Sequence, residues 1–147
     1  MSSYLEHANI TVRNLDEAIQ FIQTALPDFK VRDRSIIDGR DWAHVGTDTS
    51  YLALVQGLDS REATKGPPIR NVDMESAGFN HLGFVVDDLH GVLNRLRSKG
   101  YARGFNDGDV IEHPHRRSAY ILDNDGNEYE FMQYLTDDPA ERNQYES

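Results

Sequence analysis

Apolar residues recur along this chain with two periods that alternate with one another. Leu15, Ala18, Ile19, Ile22 and Leu26 keep helical spacing, which predicts one amphipathic helix. Asn14 stands where an N-cap side chain would accept from the first free backbone N–H groups, and Pro27 follows the end. Leu89, Val92, Leu93 and Leu96 repeat that spacing, with Asp88 as the N-cap and Gly100 as the C-terminal cap. Between and around these helices run short stretches rich in β-branched and aromatic residues. They predict strands over Phe29–Ser35, Asp41–Gly46 and Tyr51–Gln56, and again over Tyr101–Phe105, Arg117–Leu122 and Glu128–Tyr134.

A faint internal repeat organises these elements. Glu6-His7-Ala8-Asn9-Ile10-Thr11-Val12 and Asn80-His81-Leu82-Gly83-Phe84-Val85-Val86 are related by an offset of 74 residues, and both run from a strand pattern into a helix start. The predicted architecture is therefore α+β, two βαβββ modules in one chain. The first module spans about 4–56, a linker about 57–77 contains Gly66-Pro67-Pro68, and the second module spans about 78–135. A polar tail, 136–147, is expected to be loose or a short helix.

Composition narrows the chemistry. A chain of 147 residues should bury roughly 68–70% of its unfolded surface, enough for a core without disulfide staples. It contains no cysteine, so any metal must be held by nitrogen and oxygen. The formal charge of −10 argues against nucleic acid, whose phosphates need clustered Lys and Arg. The opening MSSYLEHANI has neither a basic nor an apolar leader region, and no apolar run approaches the ~20 residues that span a bilayer. A cytoplasmic protein with no membrane partner is the expectation.

Strand alternation then selects candidate ligands. His7, Asn9 and Thr11 share one face and Ala8, Ile10 and Val12 the other; His81, Gly83 and Val85 oppose Leu82, Phe84 and Val86. The bulkier apolar sets should lie against the helices, leaving the two histidines on the open face. A lone strand histidine is more often structural than ligating. Two at repeat-equivalent positions tilt that prior toward a site. Glu130, between Tyr129 and Phe131, falls on the same open face if those rings pack inward. His7, His81 and Glu130 thus form a candidate site for one divalent metal. Two imidazoles and a carboxylate with open positions suit Fe(II), Mn(II), Ni(II) or Zn(II).

With these residues in view, the chain resembles the vicinal oxygen chelate superfamily, also called the glyoxalase, bleomycin-resistance and dioxygenase superfamily. The resemblance runs from about Tyr4 to Tyr134. It rests on His7 and His81, on Asn14-Leu15-Asp16-Glu17-Ala18, and on Asp123-Asn124-Asp125-Gly126 followed by Glu130, with Asn124 where the family has proline. It implies paired modules forming a cupped mixed sheet with helices on the outer face, a metal facing a small-molecule substrate, and a homodimer. The cup closes either within one chain or across two.

Departures from the family choose among branches. A glyoxalase I site would need a fourth ligand at Ala53, which cannot ligate, unless Gln56 or a second subunit supplies it. Extradiol dioxygenases use three ligands, and their signature is similar to Ile111, His113, Tyr120, Asp123, Gly126 and Glu130, departing at Ala119 and Asn124. That resemblance makes His113 the catalytic acid or base, with His115 as competitor, and Tyr120 the group orienting a substrate oxygen. Fe(II) extradiol-type chemistry on a small catechol-like substrate is the favoured reading. A glyoxalase I-like lyase or isomerase, and a metal-free drug-sequestering binding protein, are the alternatives.

Overall fold

The computed structural model describes residues 2–57, 74–75 and 77–145, so most of the expected linker lies outside the described residues. The chain divides into two compact units, Met1–Pro68 and Ile69–Ser147. Each is one βαβββ module, as the repeat predicts.

In the first unit β1 (His7–Val12) leads into α1 (Leu15–Ala25), followed by β2 (Lys30–Ile37), β3 (Arg40–Gly46) and β4 (Tyr51–Gln56). The sheet order is β1-β4-β3-β2, with β1 parallel to β4 and the other neighbours antiparallel. In the second unit β5 (His81–Val85) leads into α2 (Leu89–Ser98), then β6 (Ile111–His113), β7 (Arg116–Leu122), β8 (Glu128–Tyr134) and a short α3 (Pro139–Arg142). Its order, β5-β8-β7-β6, reproduces the first.

Local chemistry explains where the helices start. Asn14 Oδ1 accepts from the Glu17 N–H at 3.0 Å, and Asp88 Oδ1 from the Gly91 N–H at 3.0 Å. A second donor in each first turn is satisfied from the sheet: Gln56 Oε1 takes the Leu15 N–H and Gln133 Oε1 the Leu89 N–H. These glutamines end equivalent strands, so each module ties its helix to its last strand by the same bond. Gln56 is thereby committed as a cap and is not a spare ligand. Gly100, at φ +89, follows α2 as a left-handed terminator.

Burial separates the two faces of each sheet. Leu15, Phe21 and Ile22 of α1 pack with Ala43, Val45, Leu52 and Leu54, all buried; Leu89, Leu93 and Leu96 of α2 pack with Ala119, Ile121, Tyr129 and Phe131. His7, His44 and Tyr51 alternate with the first set, and His81, Tyr120 and Glu130 with the second. The polar residues lie on the face that carries no helix.

One predicted strand does not form. Tyr101–Phe105 is irregular, and the chain turns through Phe105–Gly108 with Asn106 and Asp107 both at φ 56. Left-handed residues cannot continue an extended strand. β6, six residues further on, pairs with Arg116–Ser118 of β7, while Arg103 and Gly104 run beside Tyr120–Leu122 without forming a strand. No helix among the described residues is long and apolar enough to cross a membrane.

Candidate metal and substrate site

Strand register decides what sits beside each histidine. In the second unit His81 is the strand partner of Glu128, and Gly83 of Glu130; in the first, His7 partners Tyr51 and Asn9 partners Ala53. Ala53 is therefore the repeat-equivalent of Glu130, as the sequence comparison expects, and only the second module carries the carboxylate.

In the second unit His81 Nε2 lies 3.1 Å from Glu130 Oε2, both side chains largely withdrawn from solvent. His81 Nδ1 faces Asn80 Oδ1 at 2.7 Å. With the amide oxygen toward the ring, Nδ1 donates to Asn80; Nε2 meets the carboxylate through a proton, which a bound cation would replace. A lone pair and a carboxylate oxygen at that distance need a cation or a proton between them. Two cis ligands with bonds of about 2.1 Å stand about 3 Å apart, so the pair fits a divalent metal with N and O ligands. Gly83 leaves the approach open, since a Cβ there would touch only Glu130 Oε2 at 3.8 Å.

Tyr120 completes this cluster. Its Cα is the direct partner of Glu130, and its ring meets His81 edge-on at 5.2 Å between centroids. Burial, then the adjacent Glu130 carboxylate, push its phenol up to about 12. It is a neutral hydroxyl, a proton donor, at any physiological pH. Phe105 packs edge-on against Tyr120 at 5.4 Å, and its N–H donates to Glu128 Oε2 at 2.9 Å. These side chains, with Asn80, Leu122 and Met74, line an open cavity of about 450 Å³. The pattern along the sequence does not single out Asn80, Phe105 or Glu128. Asn80 has a signal in hindsight, because Glu6 precedes His7 as Asn80 precedes His81.

The first unit holds His7 in the same manner. His7 Nδ1 lies 2.9 Å from Glu6 Oε1, which also accepts from the Tyr51 hydroxyl at 3.1 Å. These two hydrogen bonds, His7 first, hold the Glu6 carboxyl below its ordinary range. The ring stacks on Tyr51 at 4.9 Å, Tyr51 meets His44 at 4.7 Å, and His44 meets Trp42 at 4.9 Å. Both repeat-equivalent histidines thus turn Nδ1 to a side-chain oxygen of the preceding residue.

His113 stands elsewhere. It lies on β6 opposite Arg116, four residues along β7 from Tyr120, and touches neither Tyr120 nor the His81–Glu130 pair. Its Nδ1 accepts from the His115 N–H at 3.1 Å, while His115 pairs with Glu141 at 3.5 Å. Among the described residues no group of three or more His, Asp or Glu side chains gathers as a metal cage. The structure brings His81, Glu130 and Tyr120 together within one unit. His7 belongs to the other.

Comparison with known proteins agrees with this architecture. The family model described as Glyoxalase/Bleomycin resistance protein/Dioxygenase superfamily matches residues 4–131. The chain is 25% identical to a glyoxylase/bleomycin resistance protein/dioxygenase domain from Frankia sp. EAN1pec, with a TM-score of 0.66 over 91% of this chain and 99% of that one. A glyoxalase family protein from Bacillus cereus is 20% identical, with a TM-score of 0.70 over 90% and 94%. The fosfomycin resistance protein FosX from Listeria monocytogenes, complexed with Mn(II) and sulfate, is 16% identical, with a TM-score of 0.64 over 98% and 100%. Among curated proteins none matches the chain.

Proposed function

This chain belongs to the Glyoxalase/Bleomycin resistance protein/Dioxygenase superfamily, and from that premise we propose that it is a divalent-metal-dependent enzyme acting on a small molecule. The observation that carries the reading is the His81 Nε2 to Glu130 Oε2 approach of 3.1 Å, with His81 on the wall of a cavity. His81 and Glu130 hold the metal, and His7, presented in the same way as His81, is the third ligand. Fe(II) or Mn(II) suits this donor set, with Ni(II) and Zn(II) as substitutes. A cation bound there would polarise a substrate oxygen and stabilise negative charge developing on it.

The protein's own groups then have separate tasks. Asn80 fixes the His81 tautomer, so that Nε2 is the ligating nitrogen. Tyr120, neutral and beside Glu130, donates a hydrogen bond or a proton to the reacting oxygen. Phe105 and Leu122 exclude water from one side of the cavity and give a flat substrate an apolar wall.

Extradiol-type oxygen chemistry on a catechol-like substrate keeps Tyr120 in this reading. His113, the acid or base that the resemblance implies, lies on β6 opposite Arg116, which is four residues along β7 from Tyr120. A second reading, Mn(II)-dependent and independent of O₂, draws support from the fosfomycin resistance relative complexed with Mn(II). Assembly as a homodimer belongs to the same proposal and is read from sedimentation.

Metal binding to anaerobically purified protein, beside its Glu130→Ala variant, is the test. Near-stoichiometric Fe(II) or Mn(II) binding that the variant loses supports the reading, and O₂ uptake with a panel of catechols then separates the two chemistries. Absence of metal binding to the unmodified chain would sink both, leaving a metal-free binding protein.

A further inference from the structure

We propose that Arg116, His113 and Ser118 form an oxyanion-binding subsite on the open face of the second sheet, taking a carboxylate or phosphoryl group. It is separate from the metal pair and does not rest on it.

Arg116 is only 8% exposed, yet no carboxylate among the described residues pairs with it. Its contacts are a 2.6 Å hydrogen bond from Nη1 to the Gln144 carbonyl and the Tyr145 ring, 4.3 Å from the guanidinium carbon. A guanidinium carries five N–H donors, and one carbonyl with one ring face leaves most of that capacity unused. Withdrawing such a cation from water without a counter-charge is costly, so buried arginines are normally paired. An anionic ligand supplies the missing charge.

Two further donors face the same way. His113 and Arg116 are direct partners across β6 and β7, so their side chains leave the sheet together, with Cβ atoms roughly 5 Å apart. The His115 N–H occupies His113 Nδ1, which places the ring proton on Nε2. That Nε2 is buried and has no hydrogen-bond partner among the described residues. Ser118, two residues beyond Arg116 on the same face, is also buried. A forked cation, an imidazole N–H and a hydroxyl, with no carboxylate among them, suit the oxygens of a carboxylate, phosphate or phosphonate. The Gln144 carbonyl, drawn in by the tail after α3, takes one donor where a ligand oxygen would bind.

This arrangement also makes sense beside the cavity. Arg116 lies four residues along β7 from Tyr120, roughly 13 Å, so an elongated substrate could be anchored at one end and react at the other.

The test is titration of the intact, metal-free chain with inorganic phosphate and with acetate, followed by the His113 ring signals in NMR. The expected result is a saturable shift whose affinity falls about tenfold or more in Arg116→Gln. Arg116→Lys, which keeps the charge and loses the fork, should fall between. Arg117→Gln, on the opposite face and paired with Glu112, should match the unmodified chain. Tighter phosphate than acetate assigns a phosphoryl group, and the reverse order a carboxylate. If Arg116→Gln fails to fold, Arg116→Lys and Ser118→Ala carry the comparison. No saturable shift at tens of millimolar anion, or equal affinity across the Arg116 and Ser118 variants, overturns the subsite.

Discussion

Asn80 Oδ1 sits 2.7 Å from His81 Nδ1, and Glu6 Oε1 sits 2.9 Å from His7 Nδ1, one module repeating the other. A histidine whose Nδ1–H is held by a neighbouring oxygen has its ring direction and tautomer set in advance of metal binding. Asn80→Ala should therefore weaken Mn(II) or Fe(II) binding by about 10–100-fold while leaving the melting temperature nearly unchanged. Glu130→Gln, which removes a ligating charge, should weaken it further. Calorimetric or EPR titration with Mn(II) reads both, and equal affinity in Asn80→Ala would remove Asn80 from the site.

Tyr120 offers a cleaner separation of binding from chemistry. Its ring packs on His81 and Phe105, contacts that Tyr120→Phe preserves. The variant should bind metal as tightly as the unmodified chain. If the hydroxyl delivers a proton, turnover should fall about 10²–10⁴-fold. Because the phenol is pushed up to about 12, no tyrosine ionisation should appear in the rate profile between pH 6 and 9. In the ultraviolet titration of tyrosinate, Tyr120→Phe should remove a step near pH 12.

Much of this was legible in the residues themselves. Helical spacing with Asn14 and Asp88 located both helices, and the offset of 74 located both strand-start histidines. Alternation around Tyr129 and Phe131 put Glu130 on the open face, where it meets His81. Two things were not legible. The strand expected at Tyr101–Phe105 has favourable composition and is followed by the turn-forming Asn106-Asp107-Gly108, but composition does not say whether the segment before such a turn completes a strand ladder. His113 lies opposite Arg116 across β6 and β7, a neighbour that spacing along the chain does not specify. Spacing along a chain does not fix which strand receives a residue once a loop has changed the register.

The neutral state of His113 has a consequence for stability. Burial first, then the charges of Arg116 and His115, hold its ring below the ordinary histidine range. Between that lowered value and about 6.5 the unfolded chain binds the extra proton and the folded chain does not. The stabilisation is complete above about pH 6.5 and is lost as the pH falls through the folded value. Urea unfolding at pH 7.5 and 5.5 should show a smaller acid loss for His113→Gln than for the unmodified chain. An identical loss in both would exclude His113 as a source.

Gln56 and Gln133 make matching bonds in different units, at 2.9 and 3.0 Å to the first N–H of their helices. Each alanine substitution leaves a helix-start donor without its partner and should cost about 1 kcal/mol. The two losses should add, because the bonds share no residue. Denaturant midpoints of the single and double variants check this. A strongly non-additive double variant would mean that the two caps are coupled.

Gly104 packs its α-carbon against the backbone of Tyr120, and a Cβ built there would collide with the Tyr120 carbonyl. Its backbone is extended, so the requirement is for space and not for a left-handed turn. The strand cannot give way easily. Tyr120 is registered against Glu130 in the centre of the sheet, and Leu122 donates to the Arg103 carbonyl at 2.7 Å just beyond. Gly104→Ala must instead lift the loop, loosening the Phe105 N–H bond to Glu128 and the Phe105 ring from Tyr120. We expect about 1–3 kcal/mol of lost stability and weaker retention of any ligand in the cavity, with metal affinity at His81 and Glu130 little changed. Gly100→Ala is the control: it has open space around it, so its loss reflects only the positive φ. Unaltered unfolding of Gly104→Ala would show that the loop has room the close approach to Tyr120 denies.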